Sequence, residues 1–338
     1  MNDSHASPAD ILRRILRVPW MSILLGVILL AGVLSTLQPS FSSLTNFKNI
    51  FQQSSVTAVI AVGMTFVILS GGIDISVGMN VFLMCAWMYG LNKTLPAALV
   101  LPIGVVGGAI IGVANGFLIC VLRITPIIAT LATLSICRGI AYLLIESRMK
   151  VVSRSLRVIG ASDLFGVFPV PILIMLVLTV AGYFLLKFTR FGRYVLAIGN
   201  SIVSARESGI PIKKMQFSTY ALCGLCTGVA STIYIGRLGT VQTDTAWGIE
   251  FTVITAVVLG GTRLSGGRGT IIGSVIGCLF LTLIENGLSL MEVSGFYYDV
   301  VRGLILLVAV TIEALSAWRQ NRAVLAERAR RLRIVPQA

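Results

Sequence analysis

The sequence predicts an all-α integral membrane protein with about ten transmembrane helices, some of them broken at glycine pairs. Of its 338 residues, 56% are hydrophobic and only 12% are charged, and the mean hydropathy is +0.93. Soluble domains carry about 25% charged residues, so this composition excludes an ordinary soluble protein. The 34 glycines are typical of helices that pack closely in lipid.

The apolar runs set the number of spans, because crossing a hydrocarbon core about 30 Å thick takes about 20 apolar residues. The first run is too long for the apolar core of a signal peptide, so we interpret it as a transmembrane helix. The eighth is too short for an ordinary span, and we expect it to be broken or extended by its flanks. The ten runs are 20–37, 54–70, 77–91, 96–122, 126–145, 169–187, 215–235, 251–260, 271–290 and 298–318.

The basic residues orient these spans, since Lys and Arg are enriched in cytoplasmic loops. With the N-terminus inside, 18 of the 27 basic residues fall in cytoplasmic segments and 7 in outer ones, while Arg138 and Arg302 lie within spans. This asymmetry predicts a cytoplasmic tail over 1–19, a transmembrane domain over 20–318 and a basic cytoplasmic tail over 319–338. The six arginines of the last tail favour contact with anionic lipid headgroups.

The net charge of +14 therefore has a topological explanation and does not indicate nucleic-acid binding. The single histidine, His5, lies in the polar N-terminal tail and predicts no metal site. Cys223 and Cys226 form a C-x-x-C pattern inside an apolar run, for which helix packing is the favoured interpretation. The loop 146–168 is basic although it is predicted to lie outside. We favour a solvated loop there over a surface helix that contacts an acidic partner.

A long polar insertion over 188–214 separates the sixth and seventh spans and is predicted to be cytoplasmic. It carries five basic residues against one acid, Glu207. Its middle, 204–210, predicts a short surface helix that a glycine ends. Such a basic segment between apolar spans favours the docking of a partner protein.

Two glycine runs interrupt apolar helices at Gly71–Gly72 and Gly260–Gly261. Broken helices at membrane depth are tolerated where protein or a water-filled cavity satisfies the backbone, and they often flank a transport route. Tight cytoplasmic turns explain the pattern equally well, and both interpretations stay open. The residues that we consider candidates for a translocation pathway are Gly71, Gly72, Asp74, Asn115, Gly260, Gly261, Glu285 and Asn286.

The sequence predicts no enzyme activity for this chain. Its glycine-rich runs lack the lysine of a P-loop, so ATP hydrolysis is not expected here, and no histidine within the spans can serve as a catalytic base. An ionisable residue at the centre of a membrane helix costs about 2.5–3.5 kcal/mol. Glu285 and Asn286 interrupt an apolar run and are expected in the interior, whereas Asp74 is expected at the cytoplasmic boundary. A carboxylate such as Glu285 within a span is also compatible with an ion-coupled secondary carrier of small polar solutes. A membrane scaffold that transports nothing is a further alternative.

Three blocks of sequence resemble a known family. The most specific is 248–288, GIEFTVITAVVLGGTRLSGGRGTIIGSVIGCLFLTLIENGL; the second is 66–78, FVILSGGIDISVG; the third combines Asn115–Gly116, 126–133 and Arg138–Gly139. Over about residues 42–315 the chain resembles the transmembrane permeases of bacterial ABC importers for ribose and related monosaccharides. The resemblance implies that residues 20–318 form a permease domain.

In this family the loop between spans six and seven contains a coupling helix that sits in a cleft of the ATPase subunit. The resemblance therefore implies a coupling role for the middle of 188–214. Ser204 and Glu207 depart from the family pattern of Ala-Ala-Arg-Leu-Ser-Gly-Ile, and Ser201 stands where an asparagine is expected. The positions that match the pattern are Gly199, Ala205, Arg206, Ser208, Gly209 and Ile210.

The resemblance also implies the partners. A second permease chain, identical or related, completes the pathway; a cytoplasmic ABC ATPase binds ATP and Mg²⁺; and an extracytoplasmic binding protein delivers the sugar. This chain is expected to bind no cofactor and to lie in the bacterial cytoplasmic (inner) membrane. The identity of the sugar stays open, because family members share this scaffold.

Overall fold

The computed structural model describes residues 20–146, 148–164, 166 and 168–334. The predicted cytoplasmic tail 1–19 lies outside the described residues. The helices, numbered in chain order, are α1 (Met21–Leu37), α2 (Leu44–Leu69), α3 (Val77–Leu91), α4 (Ala97–Cys120), α5 (Pro126–Ile145), α6 (Val158–Ala161), α7 (Val170–Phe188), α8 (Arg190–Asn200), α9 (Ile202–Glu207), α10 (Ile212–Leu238), α11 (Ile249–Leu259), α12 (Ile271–Leu290) and α13 (Phe296–Ile334).

This architecture confirms the all-α membrane class. Strands in the described part of the chain are only two residues long: β1 (Lys150–Val151) pairs with β4 (Thr240–Val241), and β2 (Asp163–Leu164) with β3 (Phe168–Pro169). Six described helices, α2, α4, α5, α7, α10 and α12, are long and apolar enough to cross a membrane, and α1, α3 and α11 are shorter apolar helices.

The helix bounds match the predicted spans closely at α3 and α12 but differ at α2. α2 begins at Leu44, where the sequence predicted a span from residue 54, because Ser43 caps it by accepting a hydrogen bond from Asn46 N at 3.2 Å. Its polar residues Asn46 and Gln53 bond to α12. The first turns of α2 are therefore packed helix rather than loop.

Glycines set the close approach of α4 and α10. A Cβ on Gly108 would lie 2.5 Å from the Cα of Gly228, and one on Gly112 would overlap the carbonyl oxygen of Tyr220. Small residues at such positions let membrane helices pack backbone to backbone. The contact holds α4 and α10 together along a backbone-to-backbone interface.

Two helices, α3 and α11, are too short to span by themselves. At 1.5 Å per residue, their 15 and 11 residues give lengths of about 22 and 16 Å. Asn80, in the first turn of α3, donates to the carbonyl of Gly108 at 3.2 Å, and Gly108 lies halfway along α4. The N-terminus of α3 therefore lies deep inside the bundle. The short α11 also confirms that the eighth apolar run is no ordinary span.

The last helix, α13, runs for 39 residues from Phe296 to Ile334. It continues through the predicted boundary at residue 318, so the described part of the basic tail extends the last helix. The final four residues, 335–338, lie outside the described part of the chain.

Candidate functional site

The polar segment 188–214 folds into two helices, α8 and α9, that follow α7 directly. The side chain of Thr189 caps α8 by accepting from Gly192 N at 3.3 Å, and that of Ser201 caps α9 by accepting from Ser204 N at 3.2 Å. The predicted helix over 204–210 was therefore misplaced by two residues at its start, because Ser201 is a favourable N-cap. Its regular part ends at Glu207.

Gly209 ends this helix, as the sequence predicted. It adopts a left-handed φ of +75°. Gly209 N donates to the carbonyl of Arg206 at 3.0 Å, and Ile210 N donates to that of Ala205 at 3.1 Å. This is a Schellman motif, which satisfies carbonyls left free at a helix end. The turn directs the chain from α9 into α10.

The outer face of α9 presents apolar and charged side chains together. Ile202 and Val203 are 46% and 65% exposed, and Arg206 and Glu207 are exposed beside them, whereas Ala205 is buried. The four exposed side chains lie one turn apart on the helix and therefore share one face. The arrangement supplies a surface on which a partner protein can dock.

The end of α8 packs tightly against two other segments. Gly267 N donates to the carbonyl of Leu69 at 3.0 Å, and Asn200 Nδ2 donates to the carbonyl of Gly267 at 3.2 Å. A Cβ on Gly199 would overlap both Leu69 O and Gly267 N. The end of α8, the end of α2 and the loop after α11 therefore form one contact, which we call the three-segment junction.

The two glycine pairs end α2 and α11 by the same motif that ends α9. Gly72 N donates to Val67 O at 3.0 Å, and Thr262 N donates to Val257 O at 3.1 Å. Gly71 and Gly261 adopt φ values of +83° and +88°. Gly71, Gly72, Gly260 and Gly261 therefore form turns at helix ends, close to the three-segment junction.

Asp74 lies at the centre of a buried polar cluster. Its Oδ1 accepts from Ser76 N at 3.0 Å, from Ser76 Oγ at 2.6 Å and from Asn115 Nδ2 at 3.2 Å. Asn115 Oδ1 in turn accepts from Thr133 Oγ1 at 2.7 Å. The side chain of Asp74 is buried in the protein, and its position at the cytoplasmic boundary of the membrane stays a prediction. Ser76 before α3 and Asn115 on α4 stabilise its buried carboxyl group directly, and Thr133 on α5 holds Asn115.

Glu285 and Asn286 belong to a different part of the molecule. Glu285 pairs with Arg302 Nη2 at 2.9 Å and accepts from Gln53 Nε2 at 3.1 Å. Asn286 exchanges hydrogen bonds with Asn46 at 2.9 and 3.0 Å. Both residues lie near the end of α12, whereas its start packs against Gly260. The eight pathway candidates therefore form three groups instead of one lining.

Sequence reasoning missed Thr133 and Gly267 as members of these sites. Thr133 belongs to a block quoted for the family resemblance, so its position was visible but its partner was not. Gly267 lies in a glycine-rich run whose contact with α8 depends on tertiary packing.

The bundle, with six described helices long and apolar enough to cross a membrane, defines a multi-pass membrane protein. Comparison with protein families narrows this class. The chain belongs to the family described as branched-chain amino acid transport system / permease component, whose model matches residues 46–310. It is a membrane transport component, not an enzyme.

Similar proteins support the assignment of this chain to the permease family. The chain is 36% identical over 301 residues to the ribose import permease protein RbsC of Escherichia coli (strain K12), which covers 86% of this chain and 92% of the relative. It is 38% identical over 293 residues to RbsC of Bacillus subtilis (strain 168), covering 86% and 91%. The autoinducer 2 import system permease protein LsrC of Klebsiella pneumoniae is 33% identical over 296 residues, covering 87% and 86%. No solved structure matches the chain.

Proposed function

We propose that this chain is the permease subunit of an ATP-driven ABC importer and forms the translocation pathway for a ribose-like monosaccharide. The observation that carries the proposal is the similarity to ribose import permeases over most of both chains. A permease without its own P-loop must take its energy from an ATPase, and that ATPase needs a surface on which to dock. The exposed face of α9 offers such a surface and so supports the proposal independently of the relatives.

The coupling role is assigned to α9 and its flanks. Ile202 and Val203 are exposed, while Gly199 packs against the end of α2 and the loop after α11. A push on α9 therefore acts on the three-segment junction without a flexible linker between them. The residues proposed for ATPase coupling are Gly199, Ser204, Ala205, Arg206, Glu207, Ser208, Gly209 and Ile210.

The pathway candidates take distinct roles in this proposal. The turns at Gly71–Gly72 and Gly260–Gly261 relay motion from the junction into α3 and α12. Asp74 and Asn115 hold the start of α3 against α4. Glu285 and Asn286 tie α12 to its neighbours near the opposite end of the bundle.

The proposed topology has ten spans: α1 to α5, α7 and α10 to α13. The end that carries α9 is assigned to the cytoplasm, because the basic residues concentrate there. The pairing of β1 with β4 fits this assignment, since it joins two loops that the topology places outside. Both termini are then cytoplasmic, and the protein lies in the bacterial inner membrane.

Four partners complete the proposed importer. A second permease chain, identical or related, forms the other half of the pathway, and membrane lipid surrounds the apolar faces. A cytoplasmic ABC ATPase binds ATP and Mg²⁺ and docks on α9. An extracytoplasmic binding protein supplies most of the sugar selectivity.

Uptake of radiolabelled D-ribose into proteoliposomes tests the proposal. Vesicles that hold the permease, its ATPase and its binding protein should accumulate ribose when ATP is supplied to the ATPase side. Vesicles with the permease alone should not accumulate it under a proton or sodium gradient. Gradient-driven uptake without the ATPase would instead establish the secondary carrier. The engagement of Glu285 by Arg302 and Gln53 argues against that outcome, because a proton-coupling carboxylate must be free to exchange its proton.

A further inference from the structure

A recess of about 310 Å³ opens between the start of α11 and α13. Small-molecule sites begin at roughly 300 Å³, so the recess has room for one small ligand. It lies beside the first turns of α13, at the end of the bundle opposite α9, and Trp247, Phe251 and Asp299 line it with half-exposed or exposed side chains. The lining residues are Trp247, Gly248, Phe251, Asp299, Arg302, Gly303 and Leu306.

The polar side of the recess is built around Arg302. Its Nη2 pairs with Glu285 at 2.9 Å and its Nη1 with Asp299 at 3.0 Å. These two carboxylates fix the guanidinium group, yet its buried Nε has no hydrogen-bond partner among the described residues. Asp299 remains largely exposed and keeps acceptor capacity for hydroxyl groups.

The apolar side consists of aromatic rings. Trp247 and Phe251 are each about half exposed. The guanidinium group of Arg138 lies 4.4 Å from the centroid of the Trp247 ring, a cation–π contact that holds the ring in place. A rigid aromatic face beside charged hydrogen-bonding groups suits a ligand with one apolar and one polar side.

Two glycines keep the recess open. A Cβ on Gly248, whose φ is +74°, would lie 2.6 Å from Arg302 Nη1, so a side chain there would displace the guanidinium group. A Cβ on Gly303 would meet no atom within 4 Å. A side chain at 303 can therefore enter the recess without clashing at its Cβ.

We infer that this recess is a monosaccharide subsite on the translocation route, in which the sugar ring packs on Trp247 and its hydroxyl groups bond to Asp299 and Arg302. The inference rests on the proposed function and adds to it a place where the sugar contacts the permease. The C–H face of a sugar ring is apolar and its hydroxyl groups both donate and accept, which matches the two sides of the recess. A lipid chain would offer no hydrogen-bond donor to the remaining acceptor capacity of the exposed Asp299 carboxylate.

Filling the recess tests the inference by transport. In the complete importer, Gly303→Leu should lower the maximal rate of D-ribose uptake at least tenfold, because the new side chain occupies the sugar's space. Gly32→Leu on α1 is the matched control, since a Cβ at Gly32 also meets no atom within 4 Å, and it should retain wild-type uptake. Wild-type uptake by Gly303→Leu would overturn the subsite and leave the proposed function intact, whereas no ATP-driven uptake by the wild type would overturn the proposed function.

A labelling experiment decides the matter if Gly303→Leu fails to assemble. The six native cysteines are buried, so Gly303→Cys offers the accessible thiol for a small methanethiosulfonate reagent. During ATP-driven import, saturating D-ribose with its binding protein should slow the labelling of Gly303→Cys several-fold relative to the same system without sugar. An unchanged labelling rate in an importer that transports ribose would overturn the subsite.

Discussion

Gly209 illustrates how a single residue positions the proposed coupling surface. Its φ of +75° lies in the left-handed region, which costs other residues roughly 1–2 kcal/mol. Its Cβ position is open, so conformation rather than space requires glycine there. The Schellman turn that it makes sets the direction of α9 relative to α10.

Replacing Gly209 with valine should uncouple ATP hydrolysis from sugar uptake while the protein remains inserted. The strained turn would tilt α9, so the ATPase would hydrolyse ATP with several-fold less ribose imported per ATP. Parallel assays of uptake and phosphate release in proteoliposomes measure this ratio. The matched control is Gly166→Val in the outer loop, where φ is +71° and the Cβ position is equally open. A normal ratio in Gly209→Val would count against a coupling role for this turn.

The same residues show how far local sequence reasoning reaches. The glycine that ends α9 was predicted correctly, because Schellman endings depend on residues close in sequence. The role of Ser201 as the cap was missed, although its residue type was a sufficient signal. The contact of Asn200 with Gly267 was not predictable, because it joins residues 67 positions apart.

At the scale of elements, the buried cluster around Asp74 fixes where α3 begins. Ser76 and Asn115 donate to the carboxyl group, and Thr133 donates to Asn115. These bonds join the segment before α3 to α4 and α5. A short helix that starts inside the bundle needs such anchors, because its own length does not reach the membrane surface.

Replacing Thr133 with valine should destabilise the protein by about 1–3 kcal/mol, since it leaves the buried Oδ1 of Asn115 without its donor. Thr130→Val is the matched control, because Thr130 also lies buried in α5 but bonds mainly to the carbonyl of Pro126, at 2.8 Å. Equilibrium denaturation of both variants in the same detergent gives the difference. Equal losses of stability would show that the bond to Asn115 contributes nothing.

Element boundaries were predictable where composition changes sharply and not elsewhere. α3 and α12 match their predicted runs because glycine and polar segments flank them. The start of α2 was missed because Asn46 and Gln53 are polar in sequence but find partners on α12 in the fold. α13 runs beyond its apolar part because arginine has a high helix propensity. A basic segment can therefore continue a helix, and the end of the apolar run does not mark the end of α13.

For the molecule as a whole, hydropathy predicted the class and the family resemblance predicted the partners. Composition alone could not place the sites, because the three groups of pathway candidates and the recess at Trp247 depend on contacts between distant segments. The proposed sites lie toward opposite ends of the helix bundle. The proposed docking surface on α9 lies at one, and the proposed sugar subsite lies nearer the other.

The central claim is that an ATPase drives this permease through α9. Site-specific photo-cross-linking tests it most directly, with a benzophenone attached at Val203→Cys in the assembled importer. Val300→Cys on α13 is the matched control, since the two valines are 65% and 57% exposed and lie on different helices. The account predicts that illumination captures the ATPase from position 203 and not from position 300. Capture from position 300 alone, or equal capture from both, would contradict it.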